Sequence, residues 1–374
     1  PFPRRASPLV PDQPGAQYRE MLQLRRGGGP HTPRAPHGGM WLRGGRTAAG
    51  PQVWHRGGGG TGHGRGRTAR GTTGDLTRQR GLRPLDPAEG ITGEDENGEE
   101  DLRALRETFS HFGVGICPPD APEGFRRFRR RLVFPVRTTG GQIAGFAGRY
   151  READEAGTAK YVNSDNSEAY NKGRILYGLY EAVRAVRAEG DVLLCEGYKD
   201  VIAFHAAGIR HAAGLCGTAL TEEHVRTIRR LAGQVTLSLD PDPAGRQNTV
   251  RCAHMLLSMG CAVSLLPLPD GMDPDEVYRR KGSGELACLA REGTLDYLSY
   301  RIRQAASRPR TDTTAINGAL GEIGLLSSPL AVYRRLGELS GATGIPMEVL
   351  RQEMSVATDP KSVAAAAPRK KVAG

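Results

Sequence analysis

An α/β fold, with a mostly parallel sheet flanked by helices, is predicted for the second half of this chain by two observations. From residue 191 onward, short continuously apolar runs alternate with helical segments in a βαβαβαβ order, as strands buried on both faces do in parallel sheets. Each helical segment is then closed by a glycine, Gly208, Gly233 or Gly260, the residue that most readily ends a helix. A basic α+β segment precedes this region.

The elements follow in order. Val192-Leu193-Leu194-Cys195 is the first strand and 200–207 the first helix; Ala212-Ala213-Gly214-Leu215 is the second strand. Thr221 is placed to N-cap the next helix, with Glu222 and Glu223 in its first turn and Val225, Ile228 and Leu231 on one face. A third strand spans 235–239, a helix 244–259 and a fourth strand 262–266. Right-handed crossovers join such units. Upstream, Arg131-Leu132-Val133-Phe134-Pro135-Val136 and 142–150 form a hairpin around Gly140-Gly141, and a helix covers 179–188. Arg126, Arg127, Arg129, Arg130 and Arg131 crowd the hairpin, interleaved with Phe125 and Phe128. That mixture suits gripping a nucleic-acid backbone and stacking bases, and equally suits a solvated edge-strand rim.

At 374 residues the chain is long enough for two domains plus tails, yet it holds 38% hydrophobic residues, 51 Gly and 25 Pro. Part of it is therefore expected not to fold compactly. Of the net charge of +11, residues 1–90 carry +10, from 15 Arg and no Lys against five acids. That stretch shows no helical or strand period and is expected to be disordered. It reads as an arm that tracks phosphates, as a flexible extension, or as a stretch outside the authentic reading frame. Its His31, His37, His55 and His63 lack ligand spacing. Glu94-Asp95-Glu96 and Glu99-Glu100-Asp101 read as a solvated linker. No apolar run reaches the roughly 18 residues of a membrane span, which excludes a spanning helical protein. The chain opens without a Met and without an apolar h-region, so no secretory signal is read and a cytoplasmic protein is expected. Cys117, Cys195, Cys216, Cys252, Cys261 and Cys288 form no CxxC pair, so buried reduced thiols are expected and no zinc site is visible.

Carboxylates mark the strand ends. Glu196 follows the first strand, Asp240 and Asp242 follow the third, and Asp273 and Asp275 lie beyond the fourth. Ligands bind outside the carboxyl ends of strands in open α/β sheets. Carboxylates gathered there repel one another unless dications neutralise them, and oxygen-only ligation suits Mg²⁺ or Mn²⁺ in two-metal phosphoryl chemistry. Asp242-Pro243 and Asp273-Pro274 are also ordinary helix starts, and spacing alone leaves capping and ligation equally open.

Glu196-Gly197-Tyr198-Lys199-Asp200, Gly217-Thr218-Ala219-Leu220-Thr221, Asp240-Pro241-Asp242-Pro243-Ala244-Gly245-Arg246 and Leu268-Pro269-Asp270-Gly271-Met272-Asp273-Pro274-Asp275 resemble the successive motifs of the Toprim domain of bacterial DnaG-type primases. Phe128-Arg129-Arg130-Arg131, Gly145-Phe146-Ala147-Gly148-Arg149, Lys160-Tyr161-Val162-Asn163-Ser164 and Lys172-Gly173-Arg174 resemble the basic subdomain ahead of it. Other Toprim proteins share the acids but lack this flank. The segments 317–326, 331–339 and 346–354 are similar to the small helical bundle that ends the core, with a generic helical cap as the plain alternative.

Composition assigns a low-complexity, disordered segment over 1–101 and a flexible tail over 356–374, and between them the resemblance implies a basic subdomain over 102–188, a Toprim domain over 189–283 and a helical subdomain over 284–355. The resemblance also implies DNA-templated synthesis of short RNA primers from ribonucleoside triphosphates. Glu196, Asp240 and Asp242 would be catalytic, and Glu196, Asp200, Asp240, Asp242, Asp273 and Asp275 would hold the divalent ions. Whether Glu196 ligates or handles a proton stays open. Arg129, Arg131, Arg149, Lys160, Asn163 and Lys172 would contact template or nucleotide. Lys199 reads as an exposed first-turn residue, and Tyr198 as packing. A single-stranded DNA template is the implied partner of a monomer. A replicative helicase is the family's other partner, but its binding domain is not seen here. The family's zinc-binding domain is not seen either, and the chain is expected to be truncated at both ends. A Toprim nuclease or topoisomerase and a non-catalytic DNA-binding fragment are the competing readings.

Overall fold

The computed structural model describes residues 83–84, 98–150, 159–167, 170–308 and 313–358. Apart from 83–84, the Arg/Gly-rich stretch over 1–90 lies outside them, as does the tail from 359. No helix among the described residues is long and apolar enough to cross a membrane.

The first sheet is antiparallel, in the order β1 (Arg83–Pro84), β2 (Gly115–Ile116), β3 (Arg131–Arg137), β4 (Ile143–Tyr150) and β5 (Tyr161–Asn163). The expected hairpin is β3–β4, paired from Arg131↔Tyr150 to Arg137↔Ile143. Helix α1 (Glu99–Phe112) precedes it and corrects the linker expected over 99–101. Three acids in its first turn complement the helix dipole, and Leu105, Phe109 and Phe112 give it a buried stripe. Its start is anchored as well, because the Tyr278 hydroxyl donates to the Asp101 carbonyl at 2.8 Å.

The Arg-rich approach to β3 is a 3₁₀ helix, Glu123–Phe128. Phe128 is buried and meets Phe125 and Phe146 at ring-centroid distances of 6.3 and 6.2 Å. These rings pack the subdomain, so Phe128 is not a platform for stacking bases.

Helix α2 (Leu179–Glu189) leads into the second sheet, whose order is β10 (Leu295–Asp296), β9 (Ala262–Leu265), β8 (Gln234–Ser238), β6 (Asp191–Cys195) and β7 (Ala212–Gly214). Its strands β6, β7, β8 and β9 are parallel, as expected. Helices α3 (Tyr198–Ala206), α4 (Glu222–Arg229) and α5 (Pro243–Ser258) connect them. Thr221 caps α4 through its hydroxyl, which accepts from the His224 amide at 3.2 Å. One face of the sheet buries Leu193, Val201 and Phe204 with Phe109 and Phe112 of α1. The other buries Leu194, Val225, Ile228 and Leu256.

Two features escaped the sequence. Helix α6 (Pro274–Glu292) is two helical stretches that meet at a break at Gly282, where φ is 86°, beside the boundary expected at 283/284; the first missed feature is β10 (Leu295–Asp296), which returns antiparallel to β9. The bundle also gains a helix, α7 (Tyr297–Ser307), beside α8 (Thr313–Ile323), α9 (Pro329–Thr343) and α10 (Met347–Thr358). The five cysteines upstream of Cys288 are buried, Cys288 is exposed, and all six are free thiols.

Candidate active site

A cleft of about 360 Å³ opens where the carboxyl ends of β6 and β8 meet the antiparallel sheet. The parallel sheet and α6 contribute Glu196, Asp200, Asp240, Asp273 and Asp275; the antiparallel sheet contributes Arg149, Lys160, Tyr161 and Asn163. Five of the six expected metal-site carboxylates are thereby brought together. Asp242 is exposed and is not in the lining.

Local backbone chemistry fixes three of the acids. Asp200 stands in the first turn of α3, buried, and its Oδ2 accepts from the Gly197 amide at 2.7 Å. Asp242 caps α5, accepting from the Gly245 amide at 2.6 Å, and Asp273 caps α6, accepting from the Glu276 amide at 2.6 Å. Asp242 and Asp273 therefore do cap helices, and each keeps a second oxygen. The turn into α5 is so tight that a Cβ on Gly245 would overlap the Asp240 carbonyl.

The cluster is electrostatically tense. Burial, then the charges of Glu196, Asp273 and Asp242, push Asp240 up to about 6. Burial raises Asp200 well above the carboxylate range, helped by Asp273 and Asp275 and opposed by the Gly197 amide. Asp273 is raised by burial and by Asp275 and Glu276. Mutual repulsion of this kind marks a place where cation binding is favourable.

Among the described residues, however, no three His, Cys, Asp or Glu side chains stand in position to hold a metal ion together. Of the six carboxylates expected to converge as ligands, five share a cleft rather than a coordination point and Asp242 lies outside it. Four of the six are engaged elsewhere: three by the backbone amides above, and Asp275 by Lys199 and Arg279 at 2.7 and 3.1 Å. The donor chemistry still fits a hard dication, since the cleft offers carboxylate oxygens whose repulsion such an ion relieves.

Lys199 is the clearest correction to the sequence reading. It is not an exposed first-turn residue; its side chain is 17% exposed and paired inside the cleft. The sequence held a partial signal, because Asp275 and Arg279 are spaced i,i+4 on one helix. Asn248, whose Nδ2 donates to Glu196 Oε1 at 3.5 Å, was also missed and lies one turn past the capped end of α5. Tyr198 is packing as expected. It is buried, with its ring stacked on Phe134 at 5.2 Å, and its hydroxyl donates to Asn163 Oδ1.

The expected nucleic-acid residues divide. Arg149, Lys160 and Asn163 line the cleft. Arg129 donates to the Ala121 carbonyl at 2.9 Å, and Arg131 is buried, donating to the Ala159 carbonyl at 2.9 Å with Tyr150 beneath its guanidinium. Lys172 lies outside the lining, and its carbonyl accepts from His224. Arginine forks make good internal ties for orphan carbonyls, which is why basic residues in this segment read like a binding surface.

Comparison with known proteins agrees with this geometry. Residues 106–183 match the family described as DNA primase catalytic core, N-terminal domain, and 193–278 match the Toprim-like family. The DNA primase of Halalkalibacterium halodurans is 34% identical over 234 residues, which is 61% of this chain and 39% of that protein. The primase domain from Pseudomonas aeruginosa superposes with a TM-score of 0.58 at 26% identity, covering 78% of this chain and 94% of that one. The described core resembles DnaG-type primase catalytic cores across both matched segments. The E. coli primase catalytic core gives the same picture, at TM-score 0.57 and 26% identity over 74% of this chain and 97% of that one. The chain spans about two fifths of the length of the curated relatives it matches. Divalent-metal use goes with the Toprim primase family, and the cleft's acidic wall is the part of this chain with matching donors.

Proposed function

We propose that this chain is the catalytic core of a cytoplasmic DNA primase, a nucleotidyltransferase that makes short RNA primers on single-stranded DNA from ribonucleoside triphosphates. One observation carries the reading: a single cleft has an acidic wall from the parallel sheet and a basic wall from the antiparallel sheet. That pairing suits a reaction between two phosphate-bearing strands and an ion-bound triphosphate.

The ions, Mg²⁺ or Mn²⁺ and two or more in number, would be held by Glu196, Asp240 and Asp273 with Asp200, Asp242 and Asp275 around them. When bound they would favour ionisation of the attacking hydroxyl and neutralise the departing pyrophosphate. The primer's 3′-oxygen forms the new bond to the α-phosphorus, the bond to the β-phosphate breaks, and pyrophosphate leaves. Arg149 and Lys160 offer cations to the phosphates of template or nucleotide. Asn163, held by the Tyr198 hydroxyl, presents its amide to the same space.

The test is incubation of the purified chain with labelled ribonucleotides, single-stranded DNA and Mn²⁺, beside a nicking assay on supercoiled plasmid. Short labelled RNA without nicking is expected. Nicked plasmid without incorporation would favour the nuclease or topoisomerase reading. Salt-sensitive DNA binding with no incorporation at any metal concentration would favour the non-catalytic one.

A further inference from the structure

Lys199 Nζ lies 2.7 Å from Asp275 Oδ2, with the two side chains 17% and 15% exposed. Arg279 Nε reaches the same oxygen at 3.1 Å. The two cations differ in how they are tethered. Arg279 sits one turn along α6 from Asp275, so it accompanies the carboxylate wherever that helix goes. Lys199 comes from α3 on a flexible four-carbon stem and can depart without disturbing either helix.

The surroundings give that mobility a direction. Glu196, Asp200, Asp240 and Asp273 line the same cleft as Asp275, so a dication drawn into it by their charge arrives beside the oxygen that Lys199 holds. Once displaced, the Lys199 ammonium still faces a cleft that also presents Arg149 and Lys160. A third cation there matches the charge of a triphosphate.

We propose that Lys199 is a movable counter-ion: it competes with a divalent cation for Asp275 and, displaced, turns its ammonium to the triphosphate of the incoming nucleotide. The second half rests on the primase reading, whereas the competition does not.

The experiment measures Mn²⁺ binding by the paramagnetic resonance of free Mn²⁺, and then binding of a fluorescent ATP analogue at saturating Mn²⁺. Wild type is compared with Lys199→Met, Lys199→Arg and Lys160→Met. Lys160 lines the cleft without pairing to Asp275, so it reports the effect of charge alone. Lys199→Met is expected to bind Mn²⁺ about tenfold more tightly and the nucleotide about tenfold more weakly, an opposed pair of shifts set by one lost charge. Lys199→Arg is expected to stay within about twofold of wild type on Mn²⁺. Unchanged or weaker Mn²⁺ binding by Lys199→Met, or an equal tightening by Lys160→Met, overturns the competition. Tighter Mn²⁺ binding with unchanged nucleotide binding overturns the second half. Absence of primer synthesis by wild type would overturn the primase reading while leaving the Mn²⁺ comparison intact.

Discussion

The Tyr198 hydroxyl donates to Asn163 Oδ1 at 2.8 Å, tying the helix after the Glu196 turn to the last strand of the antiparallel sheet. The same ring stacks on Phe134 and Tyr161 at 5.2 and 5.7 Å and meets Tyr177 edge-on at 4.8 Å. The acidic and basic walls of the cleft are thus set apart by buried aromatics beneath them.

Tyr198→Phe should therefore cost about 1 kcal/mol, the net value of one hydrogen bond, and weaken nucleotide binding by releasing Asn163. Tyr198→Ala should cost about 3–5 kcal/mol through the cavity it leaves. Denaturant unfolding of both variants checks this. Equal losses in the two would show that the ring contributes no packing.

Asp240→Asn should lower primer synthesis at least about a hundredfold, in the range seen for loss of one group that stabilises developing charge. DNA binding should stay largely intact. The same change removes a charge crowded by Glu196, Asp273 and Asp242. After discounting for solvent screening, it should stabilise the fold on the order of 1 kcal/mol. Thermal melting beside the primer assay reads both. Full activity, or a large destabilisation, would contradict the placement of Asp240.

Gly245→Ala gives a test of sign. Helix propensity alone favours alanine by roughly 1 kcal/mol, but the new Cβ would overlap the Asp240 carbonyl. The variant should instead lose about 1–3 kcal/mol and bind Mn²⁺ more weakly. A more stable variant with normal Mn²⁺ binding would show that the turn is slacker than described.

His205 supplies the pH dependence. It is buried in α3, its Nε2 donates to the Ala212 carbonyl at 3.0 Å, and its ring meets Phe112 edge-on. Burial, with Arg210, His111 and His211 nearby, lowers it from 6.5 to about 4. The unfolded chain therefore takes up this proton first. The contribution is whole above about pH 6.5, falls as pH drops toward about 4, and amounts to about 3 kcal/mol in all. Unfolding free energies of wild type and His205→Gln between pH 4 and pH 7.5 should differ in slope over that window. Parallel curves would remove His205 as the cause.

Much of this architecture was legible because its strands announce themselves. Val192-Leu193-Leu194-Cys195 is apolar on both faces, and the Asp-Pro pairs at Asp242 and Asp273 start helices by capping, a local effect that the sequence states outright. What stayed hidden depends on partners far along the chain. Two-residue β10 is a strand only because β9 is beside it. Glu99-Glu100-Asp101 looks like linker until Tyr278 and Ser283 dock on Asp101.

The site divides in the same way. Acids at strand ends could be placed from periodicity alone. The fate of each basic residue could not, since an arginine that ties a carbonyl and one that awaits a phosphate look alike in sequence. Arg131 turned inward to Ala159 while Arg149 faces the cleft, and both sit in the same hairpin. Lys199 differs from its expected place because its partner lies 76 residues away.

The central proposal is that Asp240 and Asp273, held by separate turns, would together hold a cation once it enters the cleft. Mn²⁺ binding to wild type, Asp240→Asn and Asp273→Asn, followed by paramagnetic resonance, tests it most directly. Each substitution is predicted to weaken binding about tenfold or more, the loss of one charged ligand. Binding by either variant as tight as wild type would contradict it.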